Sequence, residues 1–213
     1  MTESLAYALL LESSSFKSWL AQRKQRAKRQ NDPSDVSIRR SQGTLDITLN
    51  RPHAHNAYSE RLKDKFCEAL QLPIIDNSIR KVIITGNGKS FCSGGDLDEF
   101  GSVVDPASSH ISRITRSAGN LLSQLQDRTH FRVHGACIGA GIELTAFGGS
   151  IVAHPDSFFQ LPEVSMGLIP GAGGTVSINK RIGRHRTAFM ALTGNRIDSE
   201  TALKWGLVDE LLA

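Results

Sequence analysis

Cysteine and the large aromatics are scarce in this chain, with three Cys, two Trp and two Tyr. Cys67, Cys92 and Cys137 are odd in number and far apart, which suggests neither a disulfide framework nor a zinc site. A reducing cytoplasm is the default reading of such a set. Long apolar runs are missing too. The stretch from Ala6 to Leu11 falls far short of the roughly 20 residues a membrane-spanning helix needs, and it follows Glu3, not a basic segment, so it does not read as a secretory leader. Charge of one sign is also lacking: the formal net charge is +4. Most of it comes from residues 1–32, where Lys17, Arg23, Lys24, Arg26, Lys28 and Arg29 face only Glu3, Glu12 and Asp32. The rest is near neutral, without the spread of positive charge of a nucleic-acid-binding face. What is present, 39% hydrophobic and 22% charged residues over 213 positions, excludes a disordered chain and suffices for one domain with a real core.

The apolar spacing predicts a helix over 4–29, with Leu5, Leu9, Phe16 and Leu20 on one face and basic residues gathered at its C-terminal end. Such a helix packs on the body or on a partner, and the segment 31–35, with Pro33, breaks it into a linker. Strands are expected at 36–40 and 44–49, joined by a tight turn at 41–43. In the second, Leu45, Ile47 and Leu49 alternate with polar residues. An amphipathic helix follows at 59–72, with Leu62, Phe66, Ala69 and Leu70 inward, then a strand buried on both faces at 82–85. Further helices are expected at 107–126, 141–147, 184–193 and 199–205, and further strands near 130–133, 150–153 and 157–160. The alternation of strand and helix is that of an α/β layered domain.

Four segments place unusual backbone or an ionisable group at a strand end. The first is Phe91-Cys92-Ser93-Gly94-Gly95-Asp96, where paired glycines allow backbone geometry closed to other residues and Asp96 could cap a short helix at Leu97. The second runs from His134 to Glu143 through Gly135, Gly139 and Gly141, so that the first amides of a buried helix face a cavity. The third is Leu161-Pro162-Glu163-Val164, and the fourth Ile169-Pro170-Gly171-Ala172-Gly173-Gly174-Thr175. A glutamate in an apolar helix is costly unless paired or used. Glu143 and Glu163 converging on one pocket, beside two groups of backbone N–H donors, could deliver a proton and stabilise an enolate oxygen. Either Glu alone is as well read as a helix-end or surface acid. No nucleophile elbow or Ser-His-Asp set is evident, His53, His55 and His134 lack metal-ligand spacing, and Cys92 and Cys137 read as small buried side chains.

These segments, with Asn50-Arg51-Pro52 through Asn56-Ala57 before them and LTGNRIDSETALKWGLVDE after, resemble the signatures of the enoyl-CoA hydratase/isomerase (crotonase) superfamily, in the family order, over roughly residues 36–211. The resemblance implies a crotonase spiral of ββα units and an acyl-CoA thioester as substrate, with coenzyme A as part of it and neither metal nor other cofactor. It assigns the oxyanion hole to the N–H groups of Ser93 and Ala140, the acid–base pair to Glu143 and Glu163, and the border of the attacking water to Gly171. It places Ala54, Asn56, Gly94, Gly95, Asp96 and Gly139 along the CoA or the substrate. It further implies a homotrimer or hexamer, with no nucleic-acid or membrane partner. The activity so implied is hydration of a 2,3-enoyl-CoA. A double-bond isomerase of the same family is the nearest alternative, and a non-catalytic subunit or a module whose basic arm docks on RNA is a further one.

The domain plan departs from the family's. Residues 36–213 form the expected core, without the helices that usually follow and cover the acyl pocket. Residues 1–32 form an arm whose pattern, SLAYALLLESSSFKSWLAQR, looks like those terminal helices. The arm is expected to replace the lid, with Lys17 and the basic residues 23–29 either meeting CoA phosphates or lying on a solvated face.

Overall fold

The computed structural model describes residues 2–23, 35–100 and 105–212. The basic residues 24–29, the expected linker at 31–34 and residues 101–104 of the expected pocket wall lie outside them.

The core is a six-stranded sheet beside a three-stranded one. In the first, β1 (Val36–Ser41) pairs antiparallel with β2 (Thr44–Leu49). Parallel neighbours follow in the order β3 (Lys81–Gly86), β4 (Thr129–Val133), β6 (Ser150–Ala153) and β9 (Glu210–Leu211). Register aligns Ile47, Ile84, Phe131 and Ile151 in one row across four strands. Each is essentially without exposed surface, and side chains of that size at full burial contribute about 2 kcal/mol apiece. In the second sheet β5 (Ala136–Ile138) runs parallel to β7 (Phe158–Gln160), which pairs antiparallel with β8 (Ile197–Asp198).

Helix α3 (Glu60–Ile75) begins where the Ser59 side chain accepts the Leu62 N–H, and it buries Leu62, Phe66, Ala69 and Leu70 as their spacing predicts. Elsewhere the helices differ from expectation. The arm is two helices, α1 (Thr2–Leu10) and α2 (Ser14–Gln22), because Ser13 takes extended backbone and caps the second through the Phe16 N–H. The expected helix 107–126 is likewise divided into α4 (Pro106–Thr115) and α5 (Ala118–Gln124), with Ser117 capping the latter. Part of the glycine-bearing segment from His134 to Glu143 is strand β5, and the helix expected at 141–147 is α6, over Ala140–Thr145. Helix α7 (Gly174–Thr193) starts ten residues before the expected 184; the break there is Gly183, at φ 76°. Helix α8 (Ser199–Trp205) is as expected. Asp96 caps no helix: residues 97–100 form turns, and its carboxylate instead pairs with Arg51 at 3.0 Å.

The arm brings its own apolar cluster. Tyr7 and Phe16 pack with Met166 and Leu168, and Gly167 lies so near α2 that a Cβ there would stand 2.9 Å from that of Ser15. Arg23 closes the far end, donating to the Leu97 carbonyl at 2.8 Å and pairing with Asp98, while Lys17 pairs with Glu12 at the surface. No helix among the described residues is long and apolar enough to cross a membrane.

Candidate active site

A cavity of about 540 Å³ opens where the four singled-out segments meet, and Glu143 and Glu163 both line it. Glu143 sits one turn into α6 and is 2% exposed. Its Oε2 accepts the N–H groups of Ala172 at 2.7 Å and Gly174 at 2.9 Å, while its backbone carbonyl accepts the Ser177 hydroxyl at 2.6 Å. Glu163 follows Pro162 after β7 and is 6% exposed. Its Oε2 is buried with no hydrogen-bond partner. Burial pushes both carboxyls well above the usual carboxylate range. The charge of Glu163 and then that of Glu3 raise Glu143 further, against its two N–H donors, and Glu3 also raises Glu163. Two such groups cannot both ionise easily, so near neutrality they hold about one proton between them. The donors on Glu143 favour its anion, yet burial and the neighbouring Glu163 and Glu3 charges outweigh them and keep its carboxyl raised as well.

Backbone donors come from two touching loops. Gly139, the residue before α6, has φ 50° and ψ −124°, and a Cβ on it would stand 2.8 Å from Glu163 Oε1 and 3.6 Å from Gly94 Cα. The Ala140 N–H, first in the helix, has no intrahelical partner. Ser93, expected as the second donor, is not free: its N–H donates to the His55 carbonyl at 3.0 Å. The available amide is that of Gly95. Gly94 O and Asp96 N both bond Tyr58, so the Gly95 N–H between them faces the opposite way, and Gly95 lines the cavity. Among the described residues neither Gly95 N–H nor Ala140 N–H has an acceptor. The geometry can therefore seat an oxyanion between Gly95 and Ala140, with two carboxyls lining the same chamber.

Gly94, Asp96, Gly139 and Gly171 also line the cavity, as expected, whereas Ala54 and Asn56 do not. Asn56 is wholly buried and its side chain is committed: Oδ1 accepts the Arg51 N–H at 2.7 Å, and Nδ2 donates to the carbonyls of Asn87 at 2.8 Å and Ser90 at 2.9 Å. It braces the two turns behind the cavity and is not free to contact a ligand. Its left-handed backbone, φ 53°, is one Asn tolerates better than most side chains. Asn56→Ala should cost about 3 kcal/mol, for the orphaned partners and the strain. Urea unfolding checks it, and a loss below about 1 kcal/mol would contradict the bracing role.

Sequence reasoning missed three further contributors. Tyr7 of α1 lines the chamber and lies flat on Gly171, where a Cβ would come within 2.3 Å of its ring. The Arg113 guanidinium stands 3.8 Å over that ring and donates to the Gly171 carbonyl at 2.8 Å. Burial pushes the Tyr7 phenol up to about 12. Glu3 holds the Gly173 and Thr175 amides. The apolar spacing puts Leu5 and Leu9 on the packing face of α1, but they are 49% and 57% exposed while Tyr7, on the other side of the helix, is buried; nothing local could say that this side looks into a cavity built by distant segments. His55 and His134 make ordinary polar contacts, with Ser90 Oγ at 3.1 Å and the Gly88 carbonyl at 2.8 Å. Burial raises both the Cys92 and Cys137 thiols, which suits small packing groups rather than nucleophiles.

A six-stranded sheet beside a three-stranded one, with helices between strands and a chamber where strand-end loops meet, is the architecture of a crotonase fold. The family model for enoyl-CoA hydratase/isomerase matches residues 39–213, and the chain belongs to that family. It is 33% identical to the 2,3-dehydroadipyl-CoA hydratase of Escherichia coli over 178 residues, 84% of this chain and 69% of that one. To the 1,2-epoxyphenylacetyl-CoA isomerase of the same organism it is 31% identical, covering 80% and 69%. The crystal structure of an enoyl-CoA hydratase subunit from Geobacillus kaustophilus superposes with a TM-score of 0.77 at 27% identity, covering 84% of this chain and 69% of that one. A probable mitochondrial enoyl-CoA hydratase of Dictyostelium discoideum is 34% identical, and the chain spans 59% of its length.

Proposed function

We propose that the protein is an enoyl-CoA hydratase, adding water across the 2,3-double bond of an acyl-CoA thioester with no cofactor beyond the CoA of its substrate. The observation that carries this reading is the unpartnered, buried Oε2 of Glu163 beside a Glu143 whose carboxylate is held by two backbone N–H groups. The thioester oxygen accepts from the Gly95 and Ala140 amides, each worth about 3 kcal/mol as charge develops on it. Glu143 takes a proton from water as the oxygen bonds to Cβ, and the electron pair of the double bond moves toward the thioester. Glu163 then gives its proton to Cα. One water is consumed, and exchange of a proton between the two carboxyls or with solvent restores the starting state.

An isomerase needs one carboxylate to carry a proton from one carbon to another. The naming of relatives as hydratases and as an isomerase keeps that reaction as the second reading. The ultraviolet absorbance of a conjugated enoyl thioester distinguishes them. Hydration removes it from a 2-enoyl-CoA, whereas isomerisation creates it from a 3-enoyl-CoA. The expected result is bleaching of the 2-enoyl substrate with little change in the 3-enoyl one; the reverse pattern would overturn hydration.

A further inference from the structure

The segment that leads into α7 presents four successive amides, and they are shared between two carboxylates. Ala172 and Gly174 donate to Glu143 Oε2 at 2.7 and 2.9 Å. Gly173 donates to Glu3 Oε1 at 2.6 Å and Thr175 to Glu3 Oε2 at 3.0 Å, with the Thr175 hydroxyl bonding the same oxygen. The alternation puts Glu143 on one side of the segment and Glu3, 170 residues away in the chain, on the other. Amides at the start of a helix have no intrahelical acceptor, so each of these carboxylates supplies partners the helix cannot. The segment cannot keep its shape alone: Gly171, Gly173 and Gly174 give it wide backbone freedom, and Gly173 sits at φ 107°.

We propose that Glu3 is a positioning residue of the active site: by clamping Gly173 and Thr175 it fixes the segment whose other two amides hold the Glu143 carboxylate. The arm is then a working part of the chamber as well as a cover. The catalytic consequence rests on the two-glutamate hydratase reading; the clamp itself does not.

Charge follows the same connection. The groups facing Glu143 are Glu163 from the loop after β7, Glu3 and Tyr7 from α1, and Arg113 of α4, which lies over Tyr7 and on the Gly171 carbonyl. The Glu3 anion disfavours ionisation of both Glu143 and Glu163. Removing it lets the pair lose its shared proton at lower pH.

The test compares the full chain with Glu3→Gln, which keeps one acceptor oxygen, and Glu3→Ala, which keeps none. Hydrogen exchange over residues 171–175 and carboxyl NMR titration of Glu143 and Glu163 need no turnover. In Glu3→Ala, exchange of the Gly173 and Thr175 amides should quicken about tenfold or more, and Glu3→Gln should fall between. In Glu3→Gln, which loses the charge and keeps an acceptor, the carboxyl pair should titrate at lower pH, and in Glu3→Ala the loosened Ala172 and Gly174 amides should offset part of that shift. In the enoyl-CoA assay kcat should fall more than KM rises, and the alkaline limb of the kcat profile should move to lower pH, which a merely loosened cover would not cause. Unchanged exchange at 171–175 together with an unmoved carboxyl titration, in Glu3→Gln as well as Glu3→Ala, would overturn the proposal. If the parent protein turns over no 2-enoyl-CoA, the hydratase reading fails, yet the exchange and titration results still decide the clamp.

Discussion

Glu163→Gln should lower turnover of a 2-enoyl-CoA about a thousandfold while raising the melting temperature at pH 8. The two effects share one cause. Glu163 is buried with an oxygen that nothing satisfies, and burial lifts its pKa above the ordinary value of 4.5. The folded state therefore binds more protons than the unfolded chain between that value and the raised one, so its stability falls as pH rises through that window and stays reduced above it. A glutamine carries no charge to bury. The variant's advantage should thus be small near pH 4.5 and grow toward pH 8, where each kcal/mol is worth about 2–4 °C in a chain of this size. Glu143→Gln should lose activity comparably and should also gain stability toward pH 8, because burial and the Glu163 and Glu3 charges raise its carboxyl despite the Ala172 and Gly174 amides. Thermal unfolding at the two pH values, beside the absorbance assay, checks both. A Glu163→Gln protein that is fully active, or less stable at pH 8 than at pH 4.5 relative to the parent, would contradict the assignment. Groups that cost stability and perform chemistry are common at active sites.

Gly139→Ala should be nearly as damaging, and by a different route. The methyl group would enter a backbone conformation L residues rarely adopt and would stand 2.8 Å from Glu163 Oε1. Relief requires movement of the Glu163 carboxyl or of the Ala140 amide, which the proposed mechanism makes the proton donor and one of the oxyanion donors. Loss of one such donor costs roughly a hundredfold to a thousandfold in kcat, and the strain adds about 1–3 kcal/mol to folding. Gly183→Ala is the matched control. Its φ of 76° is equally unfavourable to alanine, but a Cβ there meets nothing within 4 Å. That variant should lose similar stability and keep its turnover. Equal activity in the two variants would separate Gly139 from the chemistry.

Much of this architecture could be read in the residues, and the failures have identifiable causes. Alternation in 44–49 and the unbroken apolar run at 82–85 located β2 and β3, since burial on one face or on both leaves a pattern of period two or none. The four glycine- and glutamate-bearing segments meet as expected, because strand ends in a layered fold lie at a common rim. Ser93 is expected as an oxyanion donor and Gly95 along the CoA, but the Ser93 N–H is spent on the His55 carbonyl and the Gly95 N–H has no acceptor among the described residues; residue spacing does not encode which amide of a glycine turn faces the cavity. The apolar spacing at 4–29 and 107–126 predicts one helix each where the structure has two, because Ser13 and Ser117 lie within stretches whose spacing continues past them. Glu3 was invisible for another reason. Its partners lie some 170 residues away, and a lone acid in the first turn of a helix reads as an ordinary favourable end charge.

In the proposed mechanism Glu143 and Glu163 act together on one acyl thioester held by the amides of Gly95 and Ala140. Turnover of a 2-enoyl-CoA in ¹⁸O-labelled water, followed by mass spectrometry of the thioester, tests it most directly. The parent protein should yield a hydroxyacyl-CoA carrying one labelled oxygen, and Glu143→Gln or Glu163→Gln almost none over the same time. A parent protein that leaves the enoyl-CoA unlabelled, or variants that label it as fast as the parent, would contradict it.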